Sequence, residues 1–163
     1  MAERTVTLGS VSKEFRMIGW RIGWAVGPTD ISARIVWTHT YNVVTPPGLT
    51  QSGAEAALRA GDGAGVAETT AELQRRRDEV VHQLSHLPLV IPEGGWSLLV
   101  DADAMGTTAG ALSEALLTHG KVAATAMQGW GDVVAPRYVR LVFAREPVAR
   151  LAELRHRFGA AGF

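Results

Sequence analysis

One short segment concentrates the side chains capable of chemistry. The run from Gly9 to Gly23 (Gly-Ser-Val-Ser-Lys-Glu-Phe-Arg-Met-Ile-Gly-Trp-Arg-Ile-Gly) is dense in small residues and carries Lys13, with Arg21 eight positions later. Before it, Arg4-Thr5-Val6-Thr7-Leu8 alternates β-branched with other residues and stops at Gly9-Ser10, which reads as a short strand ending in a loop. A lysine just past a strand end sits at the rim of a sheet, where α/β enzymes bind ligands. Partial desolvation there favours the neutral amine, the nucleophilic form needed to attack a carbonyl and form a Schiff base. Ser10 and Arg21 flank Lys13 with a hydroxyl and a planar, bidentate donor, a suitable pair for a phosphate dianion. Gly19 and Gly23 let the backbone crowd a ligand or turn tightly. The same residues also read as a surface loop with an ordinary solvated lysine, and the physics of the segment alone leaves both open.

The rest of the composition narrows the alternatives. The chain has 163 residues, 16 Lys+Arg against 16 Asp+Glu, and no cysteine. A domain of this size removes roughly two thirds of its unfolded surface from water, enough for an independent fold. Zero formal charge argues against a strong electrostatic grip on nucleic acid or on an anionic membrane. Without cysteine there is no disulfide framework, thiolate metal site or cysteine nucleophile. The histidines, His39, His82, His86, His119 and His156, are scattered at spacings unlike those of a metal site, and no metal is expected. No signal peptide or membrane-length apolar run is apparent, so a soluble, cytoplasmic protein is expected. Lys13 and Lys121 are the only two lysines, which makes each worth inspecting.

The elements that must position these groups follow from periodicity and punctuation. A second strand is expected over Trp20–Val26, closed by Gly27-Pro28, and a short helix over Ile31–His39 with Asp30 as its N-cap. Asn42–Pro47 reads as a loop, Leu49–Ala60 as a helix ended by Gly61, and Asp62–Gly65 as a flexible joint. The longest helix follows, with Val66, Thr70, Leu73, Val80, Val81 and Leu84 on one face and a charged, solvated remainder. After Leu87-Pro88 the pattern becomes α+β. Leu89–Ile91 is a brief apolar stretch, strands are expected at Trp96–Val100, Val122–Met127 and Tyr138–Phe143, and a helix over Thr108–His119 capped by Gly120. Glu146-Pro147 opens a last helix with Val148, Leu151, Leu154, Arg155 and Phe158 inward. The five tryptophans are expected to anchor cores and interfaces.

The string S-x-S-K-x-F-x-M-x-G-W-R-I-G, from Ser10 to Gly23, closely resembles the lysine signature of class I/II aminotransferases, the fold type I enzymes that use pyridoxal 5'-phosphate. The resemblance implies that Lys13 binds the cofactor as a Schiff base and that Ser10 and Arg21 bind its phosphate. Near the C-terminus, Tyr138-Val139-Arg140-Leu141-Val142-Phe143-Ala144 looks like the family's small-domain strand, whose arginine clamps the substrate α-carboxylate. Arg140 takes that position, with Arg137 and Arg145 as nearby competitors. A bidentate guanidinium–carboxylate pair would fix both the position and the orientation of an amino acid. Pro92-Glu93-Gly94-Gly95-Trp96 resembles the glycine-rich approach to the small domain's first strand and supports the register.

The resemblance implies an α/β fold, the C-terminal part of a pyridoxal-phosphate-dependent transferase. Residues 1–64 would end the large cofactor-binding domain, 65–87 would form the connecting helix, and 88–163 the small α+β domain. The implied reaction passes an amino group from an amino acid to a 2-oxo acid, in a homodimer or with a complementing N-terminal half. Only twelve residues precede Lys13, so the family's upstream phosphate loop, aromatic ring stacker, Asn and ring-nitrogen Asp have no counterpart. Inactivity of the chain on its own is therefore expected. Alternatives are a lyase or synthase on the same scaffold, and a non-catalytic remnant or subunit completed by a separate N-terminal chain.

Overall fold

The computed structural model describes residues 2–163. The chain divides into two compact units, one reaching to Thr69 and one spanning Thr70–Phe163.

The first unit is organised by a hairpin-like pair, β1 (Thr7–Ser10) and β2 (Gly23–Val26), antiparallel from Thr7↔Val26 to Ser10↔Gly23. Glycine makes the pairing possible. A Cβ on Gly9 would lie 2.2 Å from the Trp24 indole, and one on Gly23 only 2.8 Å from the Gly9 carbonyl oxygen. Between the strands lie a one-turn helix, α1 (Val11–Glu14), and a 3-10 turn at Ile18–Trp20. The strand expected from Trp20 is therefore shorter, because Arg21 adopts the left-handed region at φ 57° and breaks the extended run.

Helix α2 (Thr29–Val43) starts after Pro28, which occupies the N-cap position expected for Asp30; Asp30 lies in the first turn instead. It also runs past His39 into the expected loop. Thr38, Thr40 and Asn42 bond back to the carbonyls of Arg34, Val36 and Thr38 at 3.0, 2.9 and 2.9 Å, satisfying their side chains without leaving the helix. No residue of α2 is buried. Helix α3 (Gly48–Ala60) agrees with expectation, and the segment after it forms a 3-10 turn, Gly61–Ala64. Arg16 Nη2 donates to the Ala64 carbonyl at 2.8 Å across that turn.

Helix α4 (Val66–Gln83) begins in the first unit and continues into the second. Val80, and Leu84 one residue past its end, are buried on the expected face. On the polar side Glu72 accepts from both Arg75 and Arg76, and these guanidinium groups hold its carboxyl below the ordinary range.

The second unit is a four-stranded antiparallel sheet in the order β3 (Leu89–Val90), β4 (Ser97–Asp101), β6 (Tyr138–Val142), β5 (Thr125–Ala126). Strict alternation sends Leu98, Val100, Val139 and Leu141 into the core. Against them pack Leu112 of α5 (Ala109–Ala115), Leu151 of α6 (Val148–Leu151) and Leu154 and Phe158 of α7 (Leu154–Ala160). Each such fully buried side chain contributes about 1.5–3 kcal/mol.

Three expectations for this unit are corrected. Arg155 is exposed, because α7 turns only Leu154 and Phe158 inward. The helix α5 does not end on a glycine cap: it passes into a π turn, Leu116–Gly120, and the left-handed residue is Lys121 at φ 55°. Gly120 is small for another reason, since a Cβ there would approach the Arg157 carbonyl oxygen to 2.6 Å. The strand expected over Val122–Met127 pairs only at Thr125–Ala126. The tryptophans are 36% to 64% exposed, so the part of the expectation that placed them in the core is not met. Among the described residues no helix is long and apolar enough to cross a membrane.

Candidate functional site

Ser10, Lys13 and Arg21 come together at one end of the β1–β2 pair. Ser10 is both the last residue of β1 and the N-cap of α1. Its Oγ accepts from the Ser12 amide at 3.0 Å and donates to the Ile22 carbonyl at 3.0 Å. One hydroxyl thus closes the turn in which Lys13 sits and ties it to the residue after Arg21. The Val11 amide reinforces the tie by donating to Ile22 O at 3.3 Å, and the Val11 side chain is fully buried. Arg21 Nη1 donates to the Ile18 carbonyl at 2.9 Å, which fixes the guanidinium beside its own left-handed turn.

Lys13, Ser10 and Arg21 are all exposed. The partial desolvation expected for Lys13 is not supplied by its neighbours, because α1 is a single turn standing at the rim of a two-stranded pair. What the segment does supply is placement: an amine, a hydroxyl and a guanidinium on one rigid end, the donor set suited to a carbonyl compound with a phosphate.

Arg140 stands in the second unit, on β6 between Leu99 of β4 and Thr125 of β5. It lies on the face opposite the core, since Val139 and Leu141 point inward. Its Cζ is 4.6 Å from the centre of the Trp130 ring. Its Nε is buried and has no hydrogen-bond partner, a donor in need of an acceptor.

Of the competing arginines, Arg137 is already committed. Its Nε donates to Asp101 Oδ1 at 3.1 Å, its Nη2 to Asp101 Oδ2, and its guanidinium lies over the Tyr138 ring. Asp101 is buried, and the hydrogen bond from Arg137 holds its carboxyl below the ordinary range; the Ala104 amide adds to this at 3.1 Å. Asp101 and Trp130 were not foreseen as parts of this surroundings. Only the Tyr138↔Asp101 register of β6 against β4, which sets Arg137 beside Asp101 and is invisible before pairing is known, would have indicated the first. Among the described residues no group of three His, Asp or Glu side chains could hold a metal ion.

The fold is that of solved aminotransferases. The aromatic aminotransferase from Pyrococcus horikoshii superposes with a TM-score of 0.88 at 32% identity, over 97% of this chain and 43% of that one. By sequence, the chain is 34% identical over 147 residues to an aspartate aminotransferase of Pyrococcus abyssi, covering 88% of this chain and 38% of the relative. It is also 34% identical over 155 residues to an arginine–pyruvate transaminase of Pseudomonas aeruginosa, covering 91% of this chain and again 38% of the relative. The chain thus spans well under half the length of these relatives. Residues 1–158 match the family described as aminotransferase class I and II, and the chain belongs to that family.

Proposed function

We propose that this chain carries the cofactor lysine, two phosphate ligands and the substrate-carboxylate arginine of a pyridoxal-5'-phosphate-dependent aminotransferase. The observation that supports it is the convergence of Ser10, Lys13 and Arg21 on one end of the β1–β2 pair, in a chain of this family. The residues fit the cofactor: an exposed primary amine for its aldehyde, and an exposed hydroxyl and guanidinium for its phosphate.

When bound, pyridoxal phosphate supplies an electrophilic carbon and a conjugated ring that withdraws electrons from a substrate Cα. The residues do the rest. Lys13 Nζ would hold the cofactor and, when free, would take the proton from the substrate Cα and pass it to the cofactor's C4' carbon. Arg21 would hold the phosphate with charge-assisted bonds, and Ser10 would join it by turning its hydroxyl proton from Ile22 O to a phosphate oxygen. Arg140 offers its Nε to the substrate carboxylate and so sets the orientation of the Cα–H bond.

The substrates under this proposal are an amino acid and a 2-oxo acid, in the cytoplasm. The chain works with a partner, a second copy or a polypeptide supplying the N-terminal half, since α2 buries none of its own residues. Residues 1–64, 65–87 and 88–163 serve as cofactor-domain end, connecting helix and small domain.

The test incubates the purified chain with pyridoxal 5'-phosphate, reduces with borohydride and maps the labelled peptide. Label is expected on Lys13. Label on Lys121, or on neither lysine, overturns the assignment.

A further inference from the structure

We propose that Trp130 is a positioning residue for Arg140: its indole holds the guanidinium plane so that Nε meets an incoming carboxylate. This rests on the carboxylate role given to Arg140 above. Three observations lead to it. Arg140 Cζ lies over the Trp130 ring at 4.6 Å, within the range of a cation–π contact. Trp130 is 59% exposed, so its ring is not there to fill a core. Arg140 Nε is buried without a partner, so no protein acceptor fixes the guanidinium from that edge.

The neighbouring Arg137 shows the contrast. It also lies over an aromatic ring, that of Tyr138 at 5.3 Å, but its orientation is set by the Asp101 carboxylate. An acid of that kind beside Arg140 would occupy the donors a substrate needs. An indole restrains the guanidinium from its face without accepting an in-plane hydrogen bond, so the buried Nε keeps its donor uncommitted. The backbone favours the same arrangement: Trp130 is carried by a loop between β5 and β6, with its amide donating to Met127 O at 3.1 Å and Gly129 beside it at φ 83°.

The experiment uses the full chain without cofactor, so that it does not depend on loading at Lys13. Propionate is titrated while the backbone amide signals of position 140 and of its strand partners Leu99 and Thr125 are followed by NMR in the wild type and in W130F, W130L, W130A and R140A. Loss of a cation–π restraint predicts propionate binding about three- to tenfold weaker in W130A and W130L, with W130F within about twofold of the wild type. The buried Val139 and Leu141 amide signals report that the sheet is intact in each variant. Wild-type affinity in W130A, or W130L matching W130F, overturns the positioning role. If R140A binds propionate like the wild type, or if the wild type does not bind it, the carboxylate role of Arg140 fails instead.

Discussion

Ser10→Ala tests the local architecture most sharply, because one hydroxyl makes two of the bonds that hold the lysine turn. The variant loses acceptance from the Ser12 amide at 3.0 Å and donation to Ile22 O at 3.0 Å. A capping serine contributes about 1 kcal/mol, and a side chain–backbone bond in a solvated setting about 0.5–1 kcal/mol more. Opening of the α1 turn should therefore become easier by about 1.5–2 kcal/mol, or roughly 10- to 30-fold in its equilibrium. Amide hydrogen exchange at Val11 and Ser12 reads this directly, with the Val139 amide of the second unit as an internal reference expected not to change. Ser10→Thr keeps the hydroxyl and should retain most of the protection. Unchanged exchange at Ser12 in Ser10→Ala would refute the view that this side chain holds the turn carrying Lys13.

Two further outcomes follow from the second unit. The Asp101 carboxyl is held below its ordinary value of 3.8 by Arg137, so the ion pair stabilises the folded state above that pH and loses its effect as pH falls through the lowered value. Thermal melts of wild type and Arg137→Leu should accordingly differ at neutral pH and converge in acid below about pH 4; a gap of constant size down to pH 2 would contradict this. Phe158→Ala empties a fully buried site in the core and should cost about 3–5 kcal/mol, read as a lower denaturation midpoint by circular dichroism; a loss below about 1 kcal/mol would show that α7 is loosely packed.

The second unit was largely legible in advance because its signals are local and redundant. Alternation in Ser97–Asp101 and Tyr138–Val142, and the Val80/Leu84 stripe of α4, each repeat often enough to define a face. The first unit was less so. Arg16, Arg21 and Val44 adopt positive φ without being glycine, so nothing in their residue types marks the turns they make. Asp30 looked like an N-cap on side-chain chemistry, yet Pro28 with its pre-set φ takes the position and the helix starts earlier. At the candidate site, Lys13, Ser10 and Arg21 were singled out by the family resemblance rather than by spacing alone, and the Ser10↔Gly23 pairing brings Ser10 beside the segment that follows Arg21. The exposure of Lys13 was not, because burial depends on what covers a strand end rather than on the strand itself. Trp130 escaped for a related reason: its contact with Arg140 joins a loop to a strand, and no periodicity relates the two.

The placement of the tryptophans has a spectroscopic consequence. The core of the second unit is built from Leu, Val, Ala and Phe, whereas Trp96 and Trp130 lie outside it and Trp20, Trp24 and Trp37 belong to the first unit. Intrinsic emission from this chain is therefore a gauge of its rims, open to aqueous quenchers in the native state. It follows the seat of Trp24 on Gly9 and of Trp130 on Arg140, and senses the Phe143 and Phe158 interior only through the strands to which Trp96 and Trp130 are tied.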